Sequence, residues 1–396
     1  MIKSPSLNIR FSSLQGLYWM CFCVLYGFAS VFLLEKNFDN QGIGFILAAS
    51  NILSVIMQPT LGSLIDRLDK LSLKFVLSSI VILTILLLIL LSFFSNTMLL
   101  DALLYTLIAS LTLTLQPLIN SLAFEQINAG MVINYGLTRG AGSLSFGITS
   151  FLLGQLLSRY NASILPIICL GLYILLLILI LSFPDVNTND SLSIPSIQPV
   201  EKLFTQESTI AFIKKYKHFG LLLIGIAFLF LFHTIVNTYL VQIVSSLGGN
   251  DADFGLALTI ATIFELPAML GFGYLQQKFK SGKMLVFASI FFVIRSFAFL
   301  FSTTLWMLVI AQVLQGFAFA VYTPAISYYV NKLMSRFDKI KGQTFVVGAA
   351  TLGSVFGSII AGWLLDSAGI TVMLSVGSVS AFIGSLLVIY SVRTDI

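Results

Sequence analysis

The feature that constrains this chain most is a succession of twelve apolar segments, each long enough to cross a bilayer as a helix. They run near 12–34, 41–65, 73–94, 98–122, 136–158, 162–183, 218–244, 252–275, 283–302, 304–330, 343–366 and 370–391. A hydrocarbon slab about 30 Å thick takes roughly 20 residues at 1.5 Å of rise each. With 58% apolar and 9% charged residues, solvated side chains cannot cover the surface. Lipid requires the backbone to satisfy itself, so the expectation is an all-α membrane protein. The one long polar stretch, Pro184 to Lys217, splits the chain into six spans, a linker and six spans. The predicted units are therefore an N-terminal six-helix bundle (1–183), a cytoplasmic linker (184–217) and a C-terminal six-helix bundle (218–396). Within the linker, Leu203, Phe204, Ile210 and Ile213 share one helical face, which suggests either a short surface helix or plain coil. The first apolar run follows Arg10 and lacks a small-residue cleavage site, so it reads as a helix that stays.

Charge gives orientation. Seventeen of the 21 Lys and Arg residues fall on the side carrying both termini and the linker, against Lys36 and Arg159 on the other. By the positive-inside rule both termini are expected in the cytoplasm, in a cytoplasmic or plasma membrane. The net charge of +5 is scattered over many turns, which argues against nucleic acid as a partner. The expected partners are a small-molecule solute and the bilayer, with the chain acting as a monomer.

Two charges remain inside apolar spans at matching depth. Glu265 lies ten residues from a helix end near Leu275, and Arg295 lies twelve residues in from Lys283. Both are then roughly 15–18 Å from the same face, where each costs on the order of 2.5–3.5 kcal/mol. Of the 16 carboxylates, only Glu265 falls at mid-depth. His233 shares that depth in the seventh span, with Asn237 one turn further on the same face. These residues are the candidates for proton coupling, with Glu265 the leading acid and His233 the second. A movement that changes the Glu265 to Arg295 distance would load and release a proton; a permanent pair would merely hold two helices.

The halves echo each other. Gly62 to Arg67 is answered by Gly273 to Lys278 at an offset of 211, Gln116-Pro117 by Thr323-Pro324 at 207, and Gly154 to Ser158 by Gly362 to Asp366 at 208. Duplicated halves around a midplane site suit alternating access. The glycines of 136–154 and 348–362 suit close helix crossings.

The stretch Gln58-Pro59-Thr-Leu-Gly62-Ser-Leu-Ile-Asp66-Arg67 resembles the loop signature of the major facilitator superfamily, in the form of its oligosaccharide:proton symporter branch, which includes lactose permease. The resemblance covers essentially the whole chain. It implies twelve helices in two pseudo-symmetric six-helix bundles. Gly62 is expected to allow close helix packing, and Asp66 with Arg67 to form a charged latch rather than a solvated turn. Arg139-Gly-Ala-Gly142-Ser-Leu-Ser-Phe146 is similar to the branch's fifth helix, where an arginine binds sugar hydroxyls and an aromatic ring stacks on the sugar. Arg139 lies close to the start of its apolar run, so an interfacial anchor is the other reading. Glu265 and Arg295 resemble the branch's acidic eighth-helix and basic ninth-helix residues. The sequence departs from the permease at Gln315-Gly-Phe-Ala318, where the permease has His-x-x-Glu, at Asn120 in place of a fourth-helix acid, and at Ala268 in place of Asn. Lactose itself should therefore not be read in the same way.

The expected substrate-facing residues are Arg139, Phe146, Asn120, His233, Asn237 and Gln315. Tyr18, Trp19, Tyr26, Tyr239 and Tyr322 are candidate cavity aromatics, since a sugar offers apolar ring faces together with hydroxyls. No phosphate-binding GxxxxGK(S/T) loop occurs, and two histidines with the scattered Cys21, Cys23 and Cys169 supply neither a metal site nor a disulfide framework. The expected function is non-enzymatic sugar:proton symport with no cofactor beyond the coupling proton. The alternatives are proton-coupled efflux and a non-transporting receptor of the same fold.

Overall fold

The computed structural model describes residues 5–67, 72–95, 97–128, 135–183, 212, 215–335 and 338–395, without the side chains of 5–7, 63–67, 123–128, 135–137 and 139. The linker segment carrying Leu203, Phe204, Ile210 and Ile213 lies outside the described residues. The helices are α1 (Pro5–Phe22), α2 (Ala29–Glu35), α3 (Asn40–Arg67), α4 (Leu73–Phe93), α5 (Met98–Asn128), α6 (Tyr135–Leu157) and α7 (Leu165–Leu181). After the linker come α8 (Lys217–Thr238), α9 (Leu240–Ser246), α10 (Asp251–Leu270), α11 (Phe272–Lys278), α12 (Ser281–Leu300), α13 (Leu305–Val313), α14 (Phe319–Leu333), α15 (Lys339–Ala368) and α16 (Ile370–Ser391). Among the described residues there is no strand. Among the described residues eleven spans are long and apolar enough to cross a membrane, twelve if the bent pair α1 and α2 is one span.

Local chemistry sets the ends. The Ser72 and Thr304 side chains accept from the backbone N–H of Phe75 and Met307, and Asn250 with Asp253 forms a capping box at the start of α10. These contacts satisfy orphan donors of the first helical turn. Gly369, at φ 83°, lets α15 stop and α16 begin at once.

Four of the twelve expected spans are interrupted, which corrects the continuous segments read from hydropathy. The first widens into a π-type turn at Cys23–Gly27 and bends by 45°. The seventh breaks at Tyr239, the eighth at Gly271, and the tenth at the tight turn Leu314–Gly316 followed by Ala318. Pro59, Pro117, Pro267 and Pro324 lie inside continuous helices instead.

In the first half α1 packs on α5, α6 and α7, and α4 on α5 and α7; in the second α8 packs on α15 and α16, and α12 on α14 and α16. Two seams join the halves, α3 with α15 and α6 with α10. Gly140, Gly147 and Gly154 recur every seven residues on one face of α6. A Cβ added to them would lie 3.6 Å from Leu270, 3.6 Å from Thr262 and 2.8 Å from the Cα of Gly255, respectively. At the other seam a Cβ on Gly44 or Gly362 would come within 2.7 or 2.6 Å of the Tyr239 hydroxyl. Gly44 and Gly255 differ by 211 positions, and Gly154 and Gly362 by 208. The internal repeat thus maps one seam onto the other.

The seams are clasped at the end away from the termini. The Asp366 carboxylate accepts from Asn40 Nδ2 and from the backbone N–H of Gln41, each at 2.7 Å. It sits at the positive N-terminal end of α3. Gln242 Nε2 donates to Asn40 Oδ1 at 2.9 Å, and Ser30 Oγ donates to the Thr238 carbonyl. The Tyr239 hydroxyl lies 3.0 Å from the carbonyl of Asn40 and 2.8 Å from that of Ser358. Tyr239 is fully buried in this clasp, which removes it from the cavity aromatics. At the termini end, among the described residues nothing lies within 4 Å of a Cβ placed on Gly62. The side chains of Asp66 and Arg67 lie outside those described.

At the termini end Asp338, just before α15, accepts from Lys215 Nζ at 2.9 Å, the Tyr216 hydroxyl at 2.8 Å and Ser335 Oγ at 2.8 Å. Burial pushes its carboxyl up, but the hydrogen bonds from Lys215, Ser335 and Tyr216 outweigh that and hold it below its ordinary range.

Two outcomes follow from these contacts. Gly362→Leu overpacks the far-end seam by about 1–3 kcal/mol, so a cysteine placed at Ser358, now 1% exposed, should react with a membrane-impermeant maleimide roughly tenfold faster. Unchanged labelling would show the seam to be unimportant for closure. Because the folded carboxyl of Asp338 titrates lower than the unfolded one, its contribution is present above about pH 4 and is lost as pH falls further. Asp338→Asn should therefore lower the melting temperature at pH 7, with the difference shrinking as pH falls below about 4.

Candidate functional site

The mid-depth charges of the second half each meet a different glutamine of the tenth span. Arg295 on α12 is 0% exposed, and its Nη2 donates to Gln312 Oε1 at 3.0 Å. Half-buried Glu265 on α10 accepts from Gln315 Nε2. The guanidinium's hydrogen bonds run to Gln312 and His233 rather than to Glu265, so the sequence-level pair is bracketed by two amides one turn apart. The bracket stands where the span breaks: α13 ends at Val313, Gln315 lies in the tight turn, and α14 starts at Phe319. Irregular backbone at this depth is tolerated where protein or a cavity receives it.

His233 and Asn237 complete the group from α8. Arg295 Nη1 lies 3.4 Å from His233 Nδ1, and the Asn237 amide lies 2.9 Å from His233 Nε2. Arginine can only donate, so Nδ1 accepts and Nε2 carries the proton; the Asn237 Nδ2 that faces Nε2 must then exchange places with its carbonyl oxygen for that contact to be a hydrogen bond. A second proton on the imidazole would set donor against donor at Arg295. The ring stacks on Phe319 at 4.6 Å and 9°, with Phe230 and Phe292 at its edges. Phe299 lies 5.3 Å from the guanidinium carbon, on a cation–π path. Tyr322, 5.5 Å from Phe230 and 6.1 Å from Phe292 between ring centroids, closes the aromatic wall.

The first half presents an amide and aromatic surface. Gln15 Nε2 donates to Asn120 Oδ1 at 2.9 Å, and Asn51 Nδ2 donates to the Tyr26 hydroxyl at 2.5 Å. Phe146 sits with Trp19 and Phe22 at 6.3 and 6.4 Å, and Phe22 stacks on Tyr26 at 5.2 Å. Tyr18, by contrast, is buried and donates to the Thr112 carbonyl at 3.3 Å, so it serves the scaffold. Arg139 lies in α6, with its side chain outside those described. A cavity of about 590 Å³ opens along α1, lined by Asn8, Ser12, Ser13, Gly16, Met20 and Ser145 among others. It shares no residue with the Arg295 group and lies nearer the termini.

The structure thus gathers Glu265, Arg295, His233, Asn237 and Gln315 in one half, and Asn120 and Phe146 in the other. Gln312, Gln15 and Asn51 were missed by sequence reasoning. The available signal was an amide in the middle of an apolar span, which costs more in lipid than its lack of charge suggests.

A family model described as "MFS_1 like family" matches residues 11–375. The maltose permease of Geobacillus stearothermophilus is 23% identical over 383 residues, covering 96% of this chain and 93% of its own. A solved variant of the nucleoside transporter NupG superposes with a TM-score of 0.82 at 19% identity, covering 97% of this chain and 98% of the other. A D-xylose-proton symporter superposes at 0.69 and 14%, covering 98% and 96%.

Removing the amide under Arg295 tests the bracket. Gln312→Leu should destabilise by about 1.5–3 kcal/mol, since a hydrogen bond to a buried charge is lost. Arg295→Met combined with Gln312→Leu should recover most of this, because it removes the stranded charge as well. Thermal unfolding in detergent reads both, and additive losses would deny the coupling.

Proposed function

This chain belongs to the MFS_1 like family of membrane transporters, and from that premise we propose that it carries a small, sugar-type solute into the cytoplasm together with a proton. The observation that carries the reading is the bracket: opposite charges on α10 and α12, each held by a glutamine of one broken span. Protonating Glu265 converts an acceptor-only carboxylate into a group that also donates, which changes its bond to Gln315. That change reaches Gln312, and so Arg295 and His233, through a single helical turn. A substrate bridging this group and the Asn120, Phe146 and Trp19 surface would draw both halves together. The solutes for which the similar proteins are named, maltose and D-xylose among them, support a sugar-type solute, and the second name supports proton coupling.

In the proposed orientation both termini face the cytoplasm, the side that the lysine and arginine distribution favours. The clasped far end then faces outward, and the cavity along α1 lies towards the cytoplasmic side. At about 590 Å³ that cavity is within the size range of small-ligand sites. Closing one end while opening the other is the alternating access expected of duplicated halves.

Uptake into proteoliposomes under an imposed proton gradient, screened over sugars and nucleosides, tests the reading. Uphill accumulation of a solute is expected. In Glu265→Gln, accumulation should fall to equilibration while solute exchange persists. Unchanged accumulation would remove Glu265 as the coupling acid, and binding without flux of any solute would leave a receptor in place of a carrier.

A further inference from the structure

Arg295 carries a full charge at 0% exposure, and its hydrogen-bond partners are a neutral amide and a neutral imidazole. Among the described residues its Nε has no acceptor. Two further donors nearby are buried without one: Gln312 Nε2, on the amide already bonded to Arg295, and the Tyr322 hydroxyl, at 0% and 4% residue exposure. The start of the fifteen-residue α14 adds the positive end of a helix dipole beside Gln315. A buried guanidinium is costly unless an anion meets it; Glu265 acts on Arg295 only through space and is bonded to Gln315 instead, and every acceptor hydrogen-bonded to the guanidinium is neutral. Arginine is also the side chain best shaped to hold a carboxylate through two parallel hydrogen bonds.

We propose that the transported solute bears a carboxylate, bound by Arg295 with Gln312 and Tyr322, so that the substrate class is a sugar acid or a related polyhydroxy acid. This rests on the reading of the chain as a solute carrier and narrows it. His233, Asn237 and Phe319 are half-buried and form the layer through which such a group would reach Arg295. Asn237, whose amide meets His233 on one side, offers its other polar atoms to the solute's hydroxyls. The carboxylate would displace the weak contact of 3.4 Å between Arg295 and His233, which couples solute arrival to the α8 side of the group.

The test uses the full chain, purified in detergent, with binding read by thermal stabilisation and by displacement of a radiolabelled probe. D-Gluconate and D-glucuronate are compared with D-glucose, in buffers with and without chloride. The acids should bind at least about tenfold more tightly than the neutral sugar, the equivalent of roughly 1.4 kcal/mol. Tyr322→Phe should weaken the acids alone. Gln312→Glu supplies a resident carboxylate to Arg295, so it should raise the melting temperature and abolish the acid preference, which keeps the test open should Arg295→Gln fail to fold. Equal binding of glucose and the acids would overturn the carboxylate inference and leave sugar transport standing. Persistence of the acid preference in Gln312→Glu, or the same stabilisation by chloride alone, would overturn it too. Absence of binding by either series would overturn both the inference and the sugar-type reading beneath it.

Discussion

The structure depends on how one guanidinium is kept in the middle of a membrane. Arg295 is enclosed by α8, α12 and α13 and meets an amide, an imidazole and an aromatic face. A direct ion pair with Glu265 would neutralise both charges and lock α10 to α12. Routing each charge to its own glutamine keeps the two helices separable, and it makes the tenth span the member that senses both. The interruption of that span at residues 314–318 lets the turn between Gln312 and Gln315 adjust without moving a rigid rod.

Around this group the two halves meet on glycine. The seams of α3 with α15 and of α6 with α10 bring backbones so close that a methyl group would collide at Gly44, Gly154, Gly255 and Gly362. Small residues at such crossings maximise packing where lipid offers no hydrophobic drive between helices. The clasp around Asn40 and Asp366 then fixes which end is shut. Its charged member, Asp366, is exposed, so the clasp can open without stranding a buried charge.

Much of the architecture was legible in the sequence, because lipid forces spanning helices to announce themselves as long apolar runs. The repeat, the mid-depth charges and the glycine-rich fifth and eleventh spans were legible for the same reason. The breaks were not. Hydropathy averages over a span, and the usual punctuation misleads here: Pro117 and Pro324 sit in unbroken helix, while Tyr239 marks a break with neither proline nor glycine. Depth counting found Glu265 and Arg295 and weighed a changing separation against a permanent pair, without the amides that hold each of them. It overlooked Gln312 because a neutral amide does not register as a cost on a charge count. Tyr18 and Tyr239 were offered as cavity aromatics, and their hydroxyls are taken by backbone carbonyls; composition cannot say where a hydroxyl points.

The separation of the two buried charges has an electrical consequence. Glu265 and Arg295 both belong to the second half, so while both are ionised a rocking of that half carries no net charge through the transmembrane field. Adding a proton to Glu265 leaves the group with one uncompensated positive charge. Displacing one charge across the whole potential is worth about 2.3 kcal/mol per 100 mV. In the proposed cycle the same rigid-body movement of the solute-free carrier would be voltage-silent in one protonation state and voltage-driven in the other, and a bound carboxylate would restore the balance.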